Sequence, residues 1–282
     1  RGMIWQQWLI LFSTACYGNL IGLNISAGMR TIVSIYILIP LILVPQLLLG
    51  GAMIRFDDLH KSISNKVYVP AICDLMATRW SYEAITVEQF KSNDYERPIF
   101  KFDIEESIND YNARILISAL TRKLEECTYY GKDPTYKETA EKDFMLLNYH
   151  IRDLSESSGI ALPTYFINVN YKNYNEFVRD SVKKYLTKLR VFFRNKANEA
   201  VRQRQIVVDS ITAKIGLDGY IKLQDNYKNK RLDDLVKNVN NPPDIYESDT
   251  RLIRKTQPIF MMPDSKIGRG QFSAPYKILG NL

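Results

Sequence analysis

Two histidines, His60 and His150, are the only imidazoles in the sequence that can move protons near neutral pH, and neither has a chemical partner at a useful spacing. There is no HExxH pair for a metal and no GxxxxGK[ST] loop for a phosphate. Cys16, Cys73 and Cys127 form neither a CxxC nor a zinc spacing. Paired carboxylates, the residue type of general acid–base chemistry, occur at Glu105–Glu106, Glu125–Glu126 and Asp233–Asp234. All three pairs fall on stretches that read as the solvated faces of helices. The basic run "KKYLTKLRVFFRNKANEAVRQRQ" has the composition of a nucleic-acid contact. Acidic residues lie close to it, and the overall excess of 38 basic over 31 acidic residues is modest, so a solvated helix face is the simpler reading. No catalytic residue, no metal ligand, no cofactor held by this chain and no nucleic-acid partner are expected.

The charges are spread unevenly. Of the 38 basic residues only Arg1 and Arg30 fall within the first 54 positions, and none of the 31 acidic residues does. Met3 to Ile25 holds no ionised group, and neither does Thr31 to Ile54. As a helix the second run would be about 36 Å long, against roughly 30 Å for a bilayer's hydrocarbon core. The mean hydropathy of −0.22 therefore averages a part suited to hydrocarbon with a part suited to water. Two membrane helices are expected, joined by the short loop "SAGMRT". Pro40 and Pro45, followed by Gly50–Gly51, make the second one a helix that bends and then allows close approach, features that a plain anchor does not need. Counting Arg1, Arg55, Lys61 and Lys66 against Arg30 alone places the large polar region in the cytoplasm.

Beyond Ile54, Val67 to Met76 is apolar but too short to span. A helical stretch opens at Arg79-Trp80-Ser81-Tyr82-Glu83 and reaches Phe90. The two read as a re-entrant or interfacial helical pair against the spans, or equally as an ordinary amphipathic helix of the polar part. From Asp103 the pattern is helical and water-soluble. Ile104, Ile108, Tyr111 and Ile115 recur at helical spacing, then Ile117, Leu120, Leu124 and Cys127. Pro134 starts a helix whose stripe is Ala140, Phe144, Leu147, Ile151 and Leu154. Tyr165 to Val169 suits a short extended piece. Asn173 with Glu176 resembles a capping box, and the helix after it carries Val178, Val182, Tyr185, Leu189, Phe192 and Lys196. An antiparallel bundle is expected, capped by a short helix at Arg231 to Val239. The fold class is thus an all-α membrane protein. Residues 1–56 form the spans, 57–99 the re-entrant segment, 100–240 the bundle and 241–282 an extended irregular tail.

The ordered series Ala27–Gly28, Val33–Ser34, Gly50–Gly51, Arg79–Trp80, Tyr82-Glu83-Ala84 and Gln89–Phe90 resembles the G-subfamily of ABC exporters, type-2 ABC transporter permeases. Thr78 stands where that family commonly has a proline. The resemblance covers roughly residues 9 to 90. It implies that the spans are the fourth and fifth of six, and that the chain is an internal part of a bacterial half-transporter. The Arg30 loop would then be cytoplasmic and everything after about residue 54 extracytoplasmic, at the bacterial inner membrane, opposite to the charge count. The bundle would be a large insertion. ATP and Mg²⁺ would sit on a nucleotide-binding domain outside this sequence, which would be a partner together with membrane lipid and a second copy of the half-transporter.

By the same resemblance, Pro40, Val44 and Leu47 line the translocation path, Ala52 and Met53 form the gate, and Pro45, Gly50 and Gly51 set the bend and packing of the helix. Arg79, Trp80, Tyr82 and Glu83 are the re-entrant motif. The implied function is the permease portion of an ATP-driven exporter for an amphipathic or lipid-like cargo. A membrane-anchored extracytoplasmic interaction module is the alternative. A cytoplasmic nucleic-acid-binding domain on a membrane hairpin is a third reading and needs the opposite topology. Whether Cys73 and Cys127 are bridged stays open.

Overall fold

The structure is a computed structural model that describes residues 2–54, 56, 59–60, 69–130, 134–163, 169–170, 172–238, 244–248 and 250–261. Arg1, Arg55, Lys61 and Lys66 of the charge count, most of the piece from Tyr165, and the tail after residue 261 lie outside the described residues. The chain divides into two compact units, Arg1–Pro98 with Ile221–Asn240 and Gln257–Leu282, and Ile99–Tyr220 with Asn241–Thr256.

In the first unit, α1 (Gly2–Gly28) has neither an acidic first turn nor a basic last turn. From Met3 to Gly28 it is long and apolar enough to cross a membrane, with a hydropathy of 1.4. Its large side chains point outward, Trp5, Trp8 and Phe12 among them. The second helix, α2 (Ile32–Leu48), starts where the Thr31 hydroxyl accepts from Ser34 N at 3.3 Å. It keeps Pro40 and Pro45 within the helix but ends before Gly50–Gly51 rather than running to Ile54. Gly51 has φ of 76°, a left-handed turn that halts the helix and that only glycine enters freely. With 17 residues, α2 is about 26 Å long, the short end for a span. A short α3 (Ala71–Asp74) leads into α4 (Ala77–Lys91), which packs along α1 and meets α2.

Two further pieces close on α4 within the same unit, α10 (Lys230–Lys237) and a 3-10 turn at Pro258–Phe260. The sequence suggested a short helix near Arg231 as a cap on the bundle; it packs on α4 instead. Val236 and Ile259 are fully buried there, and Gln257 N donates to Lys237 O at 2.7 Å.

The second unit is a helical bundle. Its helices are α5 (Phe100–Asp110), a π-helical turn (Tyr111–Leu116), α6 (Ile117–Tyr130), α7 (Lys137–Ser158) and α8 (Glu176–Ile215). The apolar series of the sequence skips from Ile115 to Ile117, and the π turn absorbs that break in phase by taking up an extra residue. The N-cap of α8 is Asn175, whose side chain accepts from Val178 N at 2.9 Å, while Asn173 Oδ1 accepts from Asn170 N. The buried stripe of α8 turns through Phe193 and Ala197 rather than Phe192 and Lys196. Next comes α9 (Leu217–Tyr227), with no buried residue, along which the chain passes at Ile221 from this unit back to the first.

Where an irregular tail was expected, β1 (Ile245–Ser248) and β2 (Arg251–Arg254) form an antiparallel hairpin in this unit, with Ile245 opposite Arg254 and Ser248 opposite Arg251. An isolated hairpin is marginal in water. This one docks on α7, burying Leu252 and Ile253. Cys73 and Cys127 are buried free thiols.

Candidate functional site

The site is built on α2 and α4. Ser34, Ile35, Leu38, Ile42, Pro45, Gln46 and Leu49 are partly covered and recur at helical spacing, so they form the face of α2 turned into the chain. Pro40, Val44 and Leu47 fall on the opposite face, with Val44 50% and Leu47 55% exposed. Beyond the glycines, Ala52 and Met53 are exposed too, Met53 at 71%. The three residues expected to line the path thus share one apolar stripe that is exposed among the described residues.

Gly50 and Gly51 are buried at the end of that helix. A Cβ on Gly50 would stand 2.7 Å from Gln46 O and 3.0 Å from Thr78 Oγ1, so glycine is required by contact. Thr78 Oγ1 donates to Gln46 O at 2.6 Å. The last carbonyls of a helix lack an intrahelical donor, and Thr78 supplies one. In the sequence Thr78 was only a departure from a proline; the structure makes it the tie between α2 and α4. A second tie joins α1 to α4, where Thr14 Oγ1 and Ser81 Oγ lie 2.6 Å apart. Nothing in the spacing of these residues announces either contact.

The re-entrant motif residues come together at the start of α4. Arg79 is fully buried. Its Nη1 lies 2.8 Å from Asp74 Oδ1, and its Nη2 lies 3.4 Å from the buried Glu83 Oε2. The guanidinium stacks 4.0 Å over Trp80, whose Nε1 donates to Asp74 O at 2.8 Å. Burying a cation is costly unless carboxylates face it, and here two do. The cluster fixes α3 against α4. Tyr82 is half-buried beside it. At the other end of α4, Phe90 meets Phe260 edge-on at 6.2 Å and Lys237 Nζ lies 5.5 Å over the Phe90 ring.

In the second unit the titratable groups are held by packing. Burial and the nearby Arg251 push His150 down to about 4, and its Nε2 accepts from Leu252 N at 2.8 Å. Burial opposes charge on Lys123, yet the hydrogen bonds it donates to Glu247 at 2.7 Å and Asp143 at 3.1 Å outweigh it and hold the ammonium above its ordinary range. Burial and the Asp143 carboxylate push the Cys127 thiol up to about 12, so it is inert as a nucleophile. Among the described residues, no group of three or more His, Cys, Asp or Glu side chains is placed to hold a metal ion.

Residues 1–90 match the family model of the ABC-2 type transporter. Over those residues the chain is similar to the membrane domain of a type-2 ABC transporter permease. No curated protein and no solved structure matches the chain. The match covers 90 of the 282 residues, ends at about the end of α4, and supports a membrane permease component of an ABC transporter.

Proposed function

We infer that the permease works as an exporter driven by ATP. The chain itself carries no catalytic residues. Its sequence has no phosphate-binding loop, so ATP and Mg²⁺ are held by a separate nucleotide-binding domain and no step of hydrolysis involves these residues. Two half-transporters pair in the bacterial inner membrane. Residues after about 54 are extracytoplasmic. Cargo leaves along Pro40, Val44 and Leu47, past a gate at Ala52 and Met53. An apolar lining suits an amphipathic or lipid-like cargo.

The observation that supports this reading is the division of α2 into two faces. One face is occupied by the chain's own packing, and the other is apolar, uncharged and exposed among the described residues. Gly50 and Thr78 fix the end of the helix, so a movement of α4 is transmitted directly to the gate segment.

The test is single-cysteine labelling in the transporter assembled with its nucleotide-binding domain. Val44→Cys and Leu47→Cys should react with a water-soluble maleimide, and ATP should change their rates, while Leu38→Cys on the packed face stays unreactive. Reaction at position 44 with lipid-soluble reagents only, indifferent to ATP, would refute the path and favour a simple membrane anchor. In intact cells, impermeant reagent should label Met145→Cys on α7 and spare Met29→Cys in the tight loop. The reverse pattern would overturn the topology.

A further inference from the structure

Two short elements from late in the chain, α10 and the Pro258–Phe260 turn, close on the helix that supports the end of α2. The buried residues of α4 are Arg79, Glu83, Thr86, Val87 and Phe90, so the apolar ones stand in its last turns. Burying an ion pair adds little to stability, whereas burying an aromatic ring adds much. The apolar hold on α4 is therefore at its C-terminal end. There Phe260 meets Phe90, and Lys237 Nζ lies 5.5 Å over the Phe90 ring and 5.8 Å over that of Phe260. Asp233, one turn earlier on α10, fixes this cation at 2.6 Å.

The backbone beside that cation is strained. Among the described residues, Asn238 and Gln257 are the non-glycine residues with positive φ, at 48° and 52°. Asparagine enters this left-handed region readily and glutamine does not. Such a conformation persists where its surroundings over-determine it. Here Gln257 N donates to Lys237 O and Asn238 N donates to Asp234 O at 3.0 Å, so the strained pair binds the Pro258–Phe260 turn to α10. At the start of α4 the neighbours are those of the gate segment. Cys73 on α3 packs with Phe56 and Val69, and Leu49, the cap of α2, packs against them. Between these ends α4 has neither proline nor glycine, so it moves as one rod.

We propose that Lys237 is a positioning residue for the gate segment. Held over Phe90 and Phe260, it latches the C-terminal end of α4, and α4 in turn seats α3 and the glycine end of α2. The connection runs from Phe90 along the helix to Thr78, whose Oγ1 donates to Gln46 O, and to the Cys73 cluster under Leu49. It rests on the transport reading only in calling Ala52 and Met53 a gate; the seat itself is tested without ATP or cargo. Removing the cation loses two ring contacts, which together shift the closing of the latch by about tenfold.

The experiment uses the full chain with Cys16→Ala in phosphatidylcholine nanodiscs, with N-ethylmaleimide labelling read by mass spectrometry. Cys73 and Cys127 are both buried, and Cys127 belongs to the bundle, so it reports any general loosening in the same sample. Lys237→Met keeps the stem and removes the charge. It should speed labelling of Cys73 by about tenfold and leave Cys127 at the parent rate. Lys237→Arg should return Cys73 to the parent rate, because a guanidinium also stacks on rings and pairs with a carboxylate. Hydrogen exchange at the Leu49 amide, which donates to Pro45 O at 2.8 Å, should rise and fall with Cys73. Phe260→Ala removes the ring from the other side and should release Cys73 further. Parent rates at Cys73 in both Lys237→Met and Phe260→Ala, or equal acceleration of the two thiols, would overturn the proposal. So would an exposed Cys73 with Leu49 still protected, or Lys237→Arg as reactive as Lys237→Met. Should Phe260→Ala misfold, Lys237→Met decides alone, since it leaves both buried rings in place. If these rates behave as stated while ATP fails to alter labelling at Val44→Cys, the transport reading falls and the latch stands.

Discussion

Lowering the pH should loosen the β1–β2 hairpin from the bundle, and the effect should run through one side chain. His150 is 4% exposed and its Nε2 is the acceptor for Leu252 N. Protonation puts a hydrogen on that nitrogen, so two donors then face each other in a buried place. The Arg251 guanidinium close by adds to the penalty, and the Tyr149 ring sits edge-on to the imidazole at 5.1 Å. The histidine therefore titrates at about 4 in the folded chain, against about 6.5 when unfolded. A folded pKa below the unfolded one means that the unfolded state binds the proton more readily. The stability is fully present above pH 6.5 or so, and it is lost as pH falls from there through 4. The loss amounts to about 2 kcal/mol at pH 5 and about 3 kcal/mol below pH 4.

The assay is hydrogen exchange at the Leu252 amide in the full chain, corrected for intrinsic rates, at pH 7.5 and pH 5. The reference is His150→Gln, whose side-chain carbonyl can accept from the same amide but does not titrate. Buried carboxylates such as Asp143 are common to both chains, so they cancel in the difference. Wild type should lose roughly thirtyfold more protection than the glutamine variant between these pH values, which is the 2 kcal/mol restated. Equal losses in the two proteins would refute the reasoning, because no other group near the amide changes between them.

Other parts of the structure make equally direct demands. Gly50→Ala should misplace the end of α2, because its Cβ meets a backbone oxygen that cannot swing away; a loss of about 1–3 kcal/mol in detergent stability is expected, together with loss of transport. Arg79→Leu leaves Asp74 and Glu83 facing each other without the cation and should cost about 3–5 kcal/mol, whereas adding Glu83→Leu should recover part of it in a thermal-melt double-mutant cycle. Cys127 should resist maleimide in the folded protein and react once denatured, as followed by mass spectrometry, since burial shields the thiol and suppresses the thiolate.

The sequence makes the helices legible because their apolar stripes are long. Ala140, Phe144, Leu147, Ile151 and Leu154 are all buried on α7 as their spacing requires. It is ambiguous where one turn decides. The capping residue of α8 is Asn175 and not Asn173, because both asparagines can cap and only the local backbone chooses. The hairpin is hidden for another reason: "IYES" and "RLIR" are four residues each, too short for a strand pattern to rise above noise. That Pro40, Val44 and Leu47 share one face of α2 follows from their spacing, but spacing does not say which face is left exposed. The ties from Thr78 and Ser81 are not legible at all, since a single hydroxyl has no period.

What the short hairpin lacks in length it makes up in contacts with residues far back in the chain. Glu247 on β1 reaches Lys123 on α6, while Leu252 on β2 reaches His150 on α7. Arg254, buried on β2, donates to Ser107 Oγ at 2.6 Å and stacks on Tyr111 at the start of the π turn. Burial lowers Arg254 to about 10, yet it stays charged at any physiological pH, so this contact does not respond where His150 does. The π turn and the hairpin explain each other. A π turn spends a helix residue out of register, and an element that arrives from outside the helix holds it in place. Residues 241–256 therefore belong to the bundle by packing although the chain reaches them only after leaving it. The bundle is complete only when the chain has returned, so its integrity depends on residues beyond position 240, where sequence reading alone expected nothing but a tail.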